Sequence, residues 1–453
     1  MISGMRVLVL GTGVAGTSAV AACNELGAIP TTVDANGTAD HVSVAELDLA
    51  KFDVVMASAA FAPHSEAILA CHAAGLEIWS EMEFAWRIRR HDIPWVLVTG
   101  TNGKTTTTQM VGAIAAAGGL DVRVCGNMGI PVIEAARAKC DLVAVEIASL
   151  QLHFTETLSP HAAVCLNADD DHTDWHGSVE AYHADKARVF RNVRVACVYP
   201  AAAPHIERMV EEADVVEGCR AVGITLGVPA VSQLGVVESH LVDRAFHDAR
   251  RTEALELASI ADLAHLVAGD VPPYLAFNAL AAAALCRAVG VEPEAVREGL
   301  AAFSLDHHRT AFVAEKAGVT YVDDSKATNA HAVRAAFGGF GARSVVWIAG
   351  GLAKGQEFAE LVRAVEGKLA AVVLIGEDQQ PLAGALAEHA ADIPVVAIAP
   401  GETVMERAVE AARSLASAGQ TVLLSPASAS MDQFRDYADR GNAFAEKVRA
   451  LED

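Results

Sequence analysis

The chain has 453 residues, of which 52% are hydrophobic and 20% charged, and a formal net charge of −23. This length predicts two to four domains rather than a single core, and the composition excludes a disordered chain. The acidic balance argues against a general nucleic-acid binder, which needs clustered Lys and Arg, but an anionic substrate can still be held by backbone amides and a few lysines.

The remaining composition favours a protein outside the membrane. No apolar run reaches the roughly 18 residues that a membrane span requires, and the first residues read as a strand rather than as a signal peptide. The eight cysteines are scattered without a Cys-x-x-Cys pair, which is typical of reduced core residues. We therefore expect a cytoplasmic protein.

The first region, residues 1–91, alternates short apolar runs with helical patterns, which predicts a parallel sheet with helices on its faces. A helix is predicted at 16–26, and strands are predicted at 6–10, 31–34, 53–57 and 76–78. A charged segment before Pro94 marks the first domain boundary.

Two more α/β regions follow, at residues 92–305 and 306–453. In the second region strands are predicted at 95–99, 142–147, 163–166 and 195–198, and the stretch 218–273 holds short strand-like pieces without clear limits. In the third region strands are predicted at 320–322, 345–349, 371–375, 395–397 and 421–424. The expected fold is α/β in three domains: an N-terminal Rossmann-like domain, a central P-loop ATPase-like parallel sheet and a C-terminal Rossmann-like domain.

The sharpest local signal is the sequence GTNGKTT at residues 100–106, between a predicted strand and a predicted helix. Backbone N–H groups in such a turn cradle phosphate, Lys104 would lie against the β- and γ-phosphates, and the Thr105 hydroxyl could ligate Mg²⁺. The loop is shorter than a full Walker A sequence, because position 98 is Val rather than Gly. The alternative is a Gly-rich turn with a solvated lysine.

A second glycine-rich turn, GTGVAG at residues 11–16, follows the first strand, and Asp34 lies about 20 residues further on. NAD binding and binding of a UDP-linked substrate both fit this pattern. A tight turn without a ligand is the third possibility.

Two acidic features follow buried strands. Glu146 lies inside an apolar strand and needs a partner, which could be Mg²⁺ or a structural Arg or Lys. The segment DDDHTDWH at residues 169–176 packs four acids and two histidines closely, which favours a cation, and carboxylates favour Mg²⁺ over zinc. A solvated acidic loop is the alternative. Lys186 reads, on its own, as a surface lysine.

Together these segments resemble the Mur ligase family in the same order along the chain. The resemblance rests on the phosphate loop, Asn127, Glu146, the Asp171–His172 pair and Lys186, and it covers nearly the whole length. The C-terminal segments 308–309, 324–329 (DSKATN), 350–354 (GGLAK) and 425–434 (SPASASMDQF) are similar to those of the family members that add D-glutamate. The Asp-Asn-Pro-Arg segment of members that add diaminopimelate or lysine is missing from the sequence.

The resemblance implies an ATP-dependent ligase of peptidoglycan precursor synthesis, with UDP-N-acetylmuramoyl-L-alanine, D-glutamate and ATP as substrates. The substrate carboxylate would attack the γ-phosphate, and the D-glutamate amine would attack the resulting acyl phosphate. The first domain would bind the UDP, the second ATP and the third the amino acid. Two Mg²⁺ sites, a carbamylated Lys186, a monomer, and no nucleic-acid or membrane partner are also implied.

The resemblance also implies roles for individual residues. Catalytic roles fall to Lys104, Lys186, His172 and His308. ATP binding falls to Gly100, Thr101, Asn102, Gly103, Lys104, Thr105, Thr106, Asn278, Arg309 and Asp324. Binding of the UDP-substrate falls to Gly11, Thr12, Val14, Ala15, Asp34 and Asn127. Binding of D-glutamate falls to Lys326, Thr328, Lys354, Ser430, Met431 and Tyr437. The metal ligands would be Thr105, Glu146, His172 and the carbamate of Lys186.

The sequence departs from the family pattern at four places. The N-terminal Ser-Pro-Gly is Ser58-Ala59-Ala60, and Ser-Ser after the metal-binding Glu is Ala148-Ser149. The Gly-x-His-Asn-x-x-Asn segment keeps only Asn278, with Tyr274 as a candidate for the lost base contacts. A Phe near the C-terminal loop is Tyr437. None of these changes removes a predicted phosphate, metal or glutamate position.

Three other functions are compatible with parts of the sequence. A ligase of the same fold could add another amino acid or extend a folate, a nucleotide-binding protein could have lost catalysis, and a dehydrogenase could use the turn at 11–16. A ligase for another substrate does not explain the segment 425–434. A protein that has lost catalysis does not explain the full set of predicted magnesium ligands, and a dehydrogenase does not explain the phosphate loop.

Overall fold

The computed structural model describes residues 2–35, 39–127, 129–169, 171–267, 270–304, 308 and 310–452, apart from the side chains of Asp174, His331, Ala335 and Gly339. The chain divides into two compact units. The first consists of Met1–Ser259 and Phe277–Phe303, and the second of Ile260–Ala276 and Ser304–Asp453.

The N-terminal part of the first unit is a four-stranded parallel sheet with the order β2-β1-β3-β4. Its strands are β1 (Arg6–Leu10), β2 (Ile29–Val33), β3 (Val54–Ala57) and β4 (Ile78–Ser80), and its helices are α1 (Val14–Leu26), α2 (Glu66–Ala73) and α3 (Glu81–Ile88). The central strands β1 and β3 are almost wholly buried, as expected for parallel strands covered on both faces.

The larger part of the first unit is a nine-stranded sheet with the order β13-β12-β11-β10-β9-β8-β5-β7-β6. Its strands are β5 (Trp95–Thr99), β6 (Val122–Gly126), β7 (Leu142–Glu146), β8 (Ala162–Cys165), β9 (Ala196–Pro200), β10 (Arg220–Ile224), β11 (Gln233–Val237), β12 (His240–Asp243) and β13 (Leu255–Ser259). The sheet is parallel from β6 to β11 and antiparallel from β11 to β13.

The helices that follow β5 in this part of the chain are α4 (Lys104–Ala117), α5 (Val132–Ala135), α6 (Ser149–Leu152), α7 (Thr173–His176), α8 (Val179–Ala187), α9 (Pro204–Glu211), α10 (Pro273–Ala288) and α11 (Pro293–Ala302). Short 3₁₀ helices lie at Val44–Glu46, Leu49–Lys51, Arg188–Phe190, Ile260–Leu266, Phe337–Gly339 and Glu366–Lys368. Among the described residues no helix is both long and apolar enough to cross a bilayer.

The second unit contains a six-stranded sheet with the order β14-β15-β19-β16-β17-β18. Its strands are β14 (Ala311–Lys316), β15 (Val319–Asp323), β16 (Val345–Gly350), β17 (Leu369–Ile375), β18 (Val395–Ala397) and β19 (Thr421–Leu424). Its helices are α12 (Ala330–Ala336), α13 (Ala359–Val365), α14 (Gln380–His389), α15 (Val404–Leu415) and α16 (Tyr437–Arg449). Among the described strands of this second sheet, only β14 runs antiparallel to its neighbour.

The predicted α/β fold is confirmed, with three sheets that are mainly parallel. The strands predicted at 6–10, 95–99, 395–397 and 421–424 have the observed limits. The central sheet was predicted to be parallel, and its edge from β11 to β13 differs: a connection at 238–239 joins β11 to β12 as a tight hairpin, and the longer connection at 244–254 brings β13 back antiparallel to β12. The domain limits 1–91, 92–305 and 306–453 stay a prediction.

The strand order places the carboxyl ends of β5, β7 and β8 at one edge of the central sheet. From β5 the chain crosses to β6 on one side, returns to β7 and then passes to β8 on the other side. Ligands in open α/β sheets bind where the direction of winding reverses in this way, outside the carboxyl ends of the strands. The loops after Thr99, Glu146 and Cys165 are therefore the first place to look for a site.

Candidate functional site

The phosphate loop predicted at 100–106 joins β5 to α4, as the sequence indicated. Gly103 has a φ of +87°, and a Cβ at this position would lie 2.8 Å from Asn278 Oδ1 and 3.1 Å from Leu166 Cδ1. Only glycine fits both the left-handed backbone and this close approach. The loop therefore brings Asn278, which is buried on α10, to the start of α4.

Lys104 lies at the first position of α4 and folds back over the loop. Its Nζ donates hydrogen bonds to Gly100 O at 2.8 Å and to Thr101 O at 3.1 Å. The side chains of Thr105 and Thr106 are buried behind the loop, and Thr106 Oγ1 has no hydrogen-bond partner among the described residues. The N-terminus of a helix with a lysine held over it is suited to a polyphosphate.

Glu146 ends β7 directly beside this loop, because Val98 of β5 pairs with Glu146 in the sheet. Its side chain is 3% exposed, and Oε1 accepts a hydrogen bond from Asn127 Nδ2 at 3.0 Å. No described residue provides a hydrogen-bond partner for Oε2. A buried carboxylate oxygen without a partner is costly, and a divalent cation would compensate its charge. The carboxylate of Glu146 at this edge of the sheet is therefore a suitable ligand for Mg²⁺.

The acidic loop after β8 holds His172 in a left-handed conformation with φ of +50°, at the N-cap of α7. His172 Nε2 lies 3.5 Å from Asp171 Oδ2, and about half of the His172 side chain is exposed. Asp170 and the side chain of Asp174 lie outside the described part of the chain. Within that part, no three His, Cys, Asp or Glu side chains are grouped closely enough to hold a metal ion.

Lys186 lies on α8 and is 2% exposed, so the reading as a surface lysine is wrong. Burial lowers the pKa of its amine to about 8. Its Nζ lies 4.7 Å from the ring centroid of Tyr182, one turn earlier on the same helix. A lysine in this environment has a substantial neutral population at ordinary pH.

Tyr182 connects α8 to the phosphate loop, a role that the sequence did not indicate. Its hydroxyl lies 2.9 Å from Thr101 Oγ1, which itself donates to Asp169 O at 3.0 Å. Because the threonine proton is used in that second bond, the tyrosine hydroxyl is the donor in the first. Burial raises the pKa of Tyr182 and keeps its proton in place.

Asp185, next to Lys186, organises a second network that the sequence did not indicate. His153 Nδ1 and His176 Nδ1 lie 2.7 Å and 2.8 Å from Asp185 Oδ2, and Arg188 Nε lies 3.1 Å from Oδ1. Burial lowers the pKa of His176, which favours its neutral form. Its Nε2 can then accept the hydrogen bond from Ser149 Oγ, at 3.0 Å. The network joins the loop after Glu146 to the helix that carries Lys186.

The N-terminal turn is held by Asp34, as the spacing suggested. Asp34 Oδ2 accepts hydrogen bonds from Thr12 N at 2.8 Å and Thr12 Oγ1 at 2.9 Å. A Cβ on Gly16 would lie 1.8 Å from Gly11 O, so α1 can pack against the turn only with glycine at this position. The side chain of Val14 is 74% exposed at the start of α1, where it can meet a ligand.

In the second unit, His308 and Asp324 are buried near the end of β15. His308 Nδ1 lies 2.6 Å from Asp323 Oδ2. Asp324 Oδ2 accepts from Ser425 Oγ at 2.6 Å, and Asp324 Oδ1 accepts from Thr310 N at 3.1 Å. Arg309, a predicted nucleotide contact, lies outside the described residues.

The residues predicted to bind D-glutamate follow β15, β16 and β19, whose carboxyl ends share one edge of the sheet. Lys326 Nζ lies 5.6 Å from the ring centroid of Tyr437. Two hydrogen bonds between Leu352 and Ala429, of 2.9 Å and 3.1 Å, join the loop that carries Lys354 to the loop that carries Ser430 and Met431. Thr328 is half-buried, Ser430 is buried, and Lys354 and Met431 are exposed.

Arg440 on α16 forms hydrogen bonds that support these loops, a role that the sequence did not indicate. It is 1% exposed, and it donates to Ser325 Oγ, Ser428 O and Ser325 O at 2.9 Å, 3.1 Å and 2.9 Å. Burial lowers the pKa of its guanidinium to about 10. Asp432 and Asp323 act in the opposite direction and favour the charged guanidinium, whose three hydrogen bonds hold Ser325 and Ser428 in place.

Comparison with known proteins is consistent with this geometry. Residues 98–286 match the Mur ligase middle domain, and residues 308–428 match the Mur ligase glutamate ligase domain. The chain is 48% identical to UDP-N-acetylmuramoylalanine--D-glutamate ligase of Streptomyces avermitilis, over 99% of this chain and 98% of the relative. It is 46% identical to the ligase of the same name from Streptomyces coelicolor, with the same coverage.

Solved structures with a similar fold have much lower identity. A pseudomurein peptide ligase type C from Methanothermus fervidus covers 99% of this chain and 100% of its own, with 15% identity and a TM-score of 0.60. UDP-N-acetylmuramate-alanine ligase from Thermotoga maritima has the same coverage, 18% identity and a TM-score of 0.58. Folylpolyglutamate synthase from Mycobacterium tuberculosis covers 82% of this chain and 93% of its own, with 16% identity and a TM-score of 0.57. These likenesses show the fold, and the full-length identities show the family: the chain belongs to the Mur ligase family.

Proposed function

We propose that this chain is an ATP-dependent ligase that joins D-glutamate to UDP-N-acetylmuramoyl-L-alanine in peptidoglycan precursor synthesis. The observation that carries the proposal is the identity of 48% across 99% of the chain to a ligase that bears this activity in its name. The phosphate loop and the buried Glu146 beside it support the proposal, because such a reaction needs a site for a polyphosphate and a ligand for a divalent cation.

In the proposed reaction, the alanyl carboxylate of the substrate attacks the γ-phosphorus of ATP, giving an acyl phosphate and ADP. The amine of D-glutamate then attacks the acyl carbon, the C–O bond to phosphate breaks, and the amine loses a proton as the amide forms. Phosphoryl transfer of this kind depends on positioning and charge neutralisation more than on covalent help from the protein.

In this proposal, different residues of the first unit bind the phosphates, the metal ions and the UDP-substrate. The loop residues Gly100, Thr101, Asn102, Gly103 and Thr106, together with the amine of Lys104, hold the phosphates, with Asn278 behind the loop. Thr105, Glu146, His172 and a carbamate on Lys186 would hold two Mg²⁺ ions. When bound, these ions neutralise charge on the phosphates. The turn of Gly11, Thr12, Val14 and Ala15, with Asp34 and Asn127, holds the UDP-substrate.

The residues of the second unit hold the amino acid. Lys326, Thr328, Lys354, Ser430, Met431 and Tyr437 surround D-glutamate, since lysine and hydroxyl donors suit a dicarboxylate. Arg309 and Asp324 contact the nucleotide, and His308 contacts the transferring phosphoryl group. We further propose domain limits at 1–91, 92–305 and 306–453, a monomer, and a cytoplasmic location.

The test measures phosphate release from ATP with Mg²⁺ and UDP-N-acetylmuramoyl-L-alanine, with D-glutamate, L-glutamate or neither. Release that requires D-glutamate supports the proposal. Release with another amino acid in its place contradicts the assigned substrate. Binding of ATP without release under any of these conditions contradicts the proposed catalysis and favours a nucleotide-binding protein that has lost activity.

The acyl-phosphate step has a separate test. If the substrate carboxylate is labelled with ¹⁸O, one labelled oxygen should pass to the released phosphate, because the carboxylate oxygen becomes the bridging oxygen of the intermediate. Unlabelled phosphate would contradict this step, whatever the amino-acid specificity.

A further inference from the structure

Trp175 connects the acidic loop after β8 to the loop Ser58–Phe61, which packs on the N-terminal turn at 11–16. Its indole Nε1 donates a hydrogen bond of 3.0 Å to Ala59 O, although the two residues are 116 positions apart. Ala59 belongs to the loop Ser58–Phe61, which follows β3 and packs on the glycine-rich turn. Ser58 N donates to Leu10 O at 3.0 Å, and a Cβ on Gly11 would lie 2.5 Å from Ser58 Oγ. A displacement of Ala59 would therefore also displace the turn at 11–16.

The indole itself is fixed by its surroundings. Trp175 is 8% exposed, and its ring meets His153 and His176 edge-on, with centroid distances of 5.5 Å and 4.6 Å. Both imidazoles are held by Asp185 Oδ2. A side chain held in this way can fix the position of the loop that it contacts at little further entropic cost.

Trp175 lies on α7, three residues after His172, and its backbone N donates to His172 O at 3.0 Å. The short helix thus carries a proposed metal ligand at its N-cap and a hydrogen-bond donor to the proposed UDP-substrate loop near its end. We propose that Trp175 is a positioning residue for the UDP-linked substrate: its indole N–H holds the Ser58–Phe61 loop against the turn at 11–16. This inference rests on the proposed function.

The sequence gives a reason for such support. The loop has Ser58-Ala59-Ala60 where the family pattern has Ser-Pro-Gly. Proline fixes its own φ and restricts the residue before it, so the loop with alanine has more freedom to lose when substrate binds. The hydrogen bond from Trp175 restrains the loop in place of the missing proline.

The experiment compares Trp175→Phe with Trp95→Phe. Trp95 is also buried, but its Nε1 has no hydrogen-bond partner among the described residues. Its replacement by Phe therefore removes the same atoms as Trp175→Phe but breaks no hydrogen bond. Loss of one neutral hydrogen bond predicts that Trp175→Phe raises KM for UDP-N-acetylmuramoyl-L-alanine about 2- to 12-fold. KM for ATP, KM for D-glutamate and kcat should stay within about twofold of those of Trp95→Phe. Equal changes in all four constants would show a merely structural role and overturn the inference.

Binding of the UDP-substrate without ATP, followed by calorimetry, separates this inference from the proposed function. If the wild-type protein fails to bind, the proposed substrate is wrong. If the wild type binds and Trp175→Phe binds equally tightly, the substrate stands and the positioning role is wrong.

A second comparison tests the reason for the contact. In the background Ala59→Pro with Ala60→Gly, which restores the family pattern, Trp175→Phe should weaken UDP-substrate binding less than in the native background. No hydrogen bond of the Ala59 N–H is found among the described residues, so proline removes none. An undiminished loss of affinity would show that the indole does not substitute for loop stiffness.

Discussion

Removing dissolved carbon dioxide should slow the reaction, because the proposed carbamate on Lys186 forms from CO₂. The other reactant is the neutral form of the Lys186 amine. In this step the lone pair of Nζ attacks the carbon of CO₂ and a C–N bond forms. One C=O π bond of CO₂ breaks, its electrons pass to oxygen as the carbamate anion, and the nitrogen releases one proton to solvent. The rate of carbamylation therefore depends on the neutral fraction of Lys186. Replacement by Gln, which has a similar length but no amine, removes the group altogether.

The structure sets the size of the effect. With a pKa of about 8, about a tenth of the Lys186 side chains are neutral at pH 7, against about one in 3,000 for a lysine with its ordinary pKa of 10.5. Burial thus raises the neutral fraction of Lys186 about 300-fold at this pH. At constant dissolved CO₂ the neutral fraction, and with it the initial rate of carbamylation, should rise about fivefold from pH 7 to pH 8. Loss of a group that supports a metal site should lower kcat about 10- to 100-fold.

Two assays check this reasoning. ¹³C NMR with labelled bicarbonate should show a carbamate signal in the wild type and in Lys51→Gln, whose lysine is 65% exposed, but not in Lys186→Gln. Turnover of the wild type in degassed buffer should fall and recover when bicarbonate is added. A wild type without a Lys186-dependent signal, and with turnover independent of CO₂, would refute the role assigned to this lysine.

Three substitutions test other parts of the site. Gly103→Ala should weaken ATP binding and lower stability by about 1–2 kcal/mol or more, because alanine at φ of +87° is strained and its Cβ would lie 2.8 Å from Asn278 Oδ1; calorimetry and thermal unfolding measure both. Glu146→Gln should raise the Mg²⁺ concentration needed for half-maximal activity about 10- to 100-fold. It should also leave Tm unchanged or raise it, since the buried charge is removed while the glutamine side chain can still accept the hydrogen bond from Asn127. Arg440→Met should lower the free energy of unfolding by about 1.5–3 kcal/mol and raise KM for D-glutamate more than KM for ATP, as urea titration and steady-state kinetics would show.

Matched controls exist for each of these changes. Gly119→Ala introduces a methyl group at φ of +79° with no atom within 4 Å, so it should be strained but should keep ATP affinity. Glu388→Gln and Arg435→Met change side chains that are 74% and 84% exposed. If a control variant matched its partner in the affected constant, the structural reason given for that partner would be wrong.

Much of the fold was accessible from the sequence because the relevant information is local. The strands β1, β5 and β19 are short apolar runs between glycine, proline or polar residues, and their limits were predicted. The phosphate loop was predicted for the same reason, since strand, turn and helix occupy one continuous segment.

The edges of the sheets were harder to predict. β14 is only partly buried, with exposed residues at irregular positions, so it lacks the clean alternation that marks a half-buried strand. The hairpins from β11 to β13 lie in the stretch whose limits the pattern left open. Their pairing is decided by neighbours in the sheet rather than by the segment itself.

The supporting residues of the site could not be found in one sequence. Trp175 and Ala59 are separated by 116 positions, and Arg440 and Ser325 by 115. The sequence does not single out Asp185 or Tyr182, because nothing local distinguishes a buried polar residue that has found a distant partner. For Lys186 the same limit made the local pattern misleading, since its burial depends on the whole surrounding structure.

The central claim is that D-glutamate is joined to UDP-N-acetylmuramoyl-L-alanine. The most direct measurement is the product mass when the enzyme receives ATP, Mg²⁺, this substrate and an equimolar mixture of D-glutamate, isotopically labelled L-glutamate, L-lysine and diaminopimelate. We expect a single new product, heavier than the substrate by one unlabelled glutamyl unit. A product that carries the labelled glutamyl unit or another amino acid, or unchanged substrate, would contradict the claim.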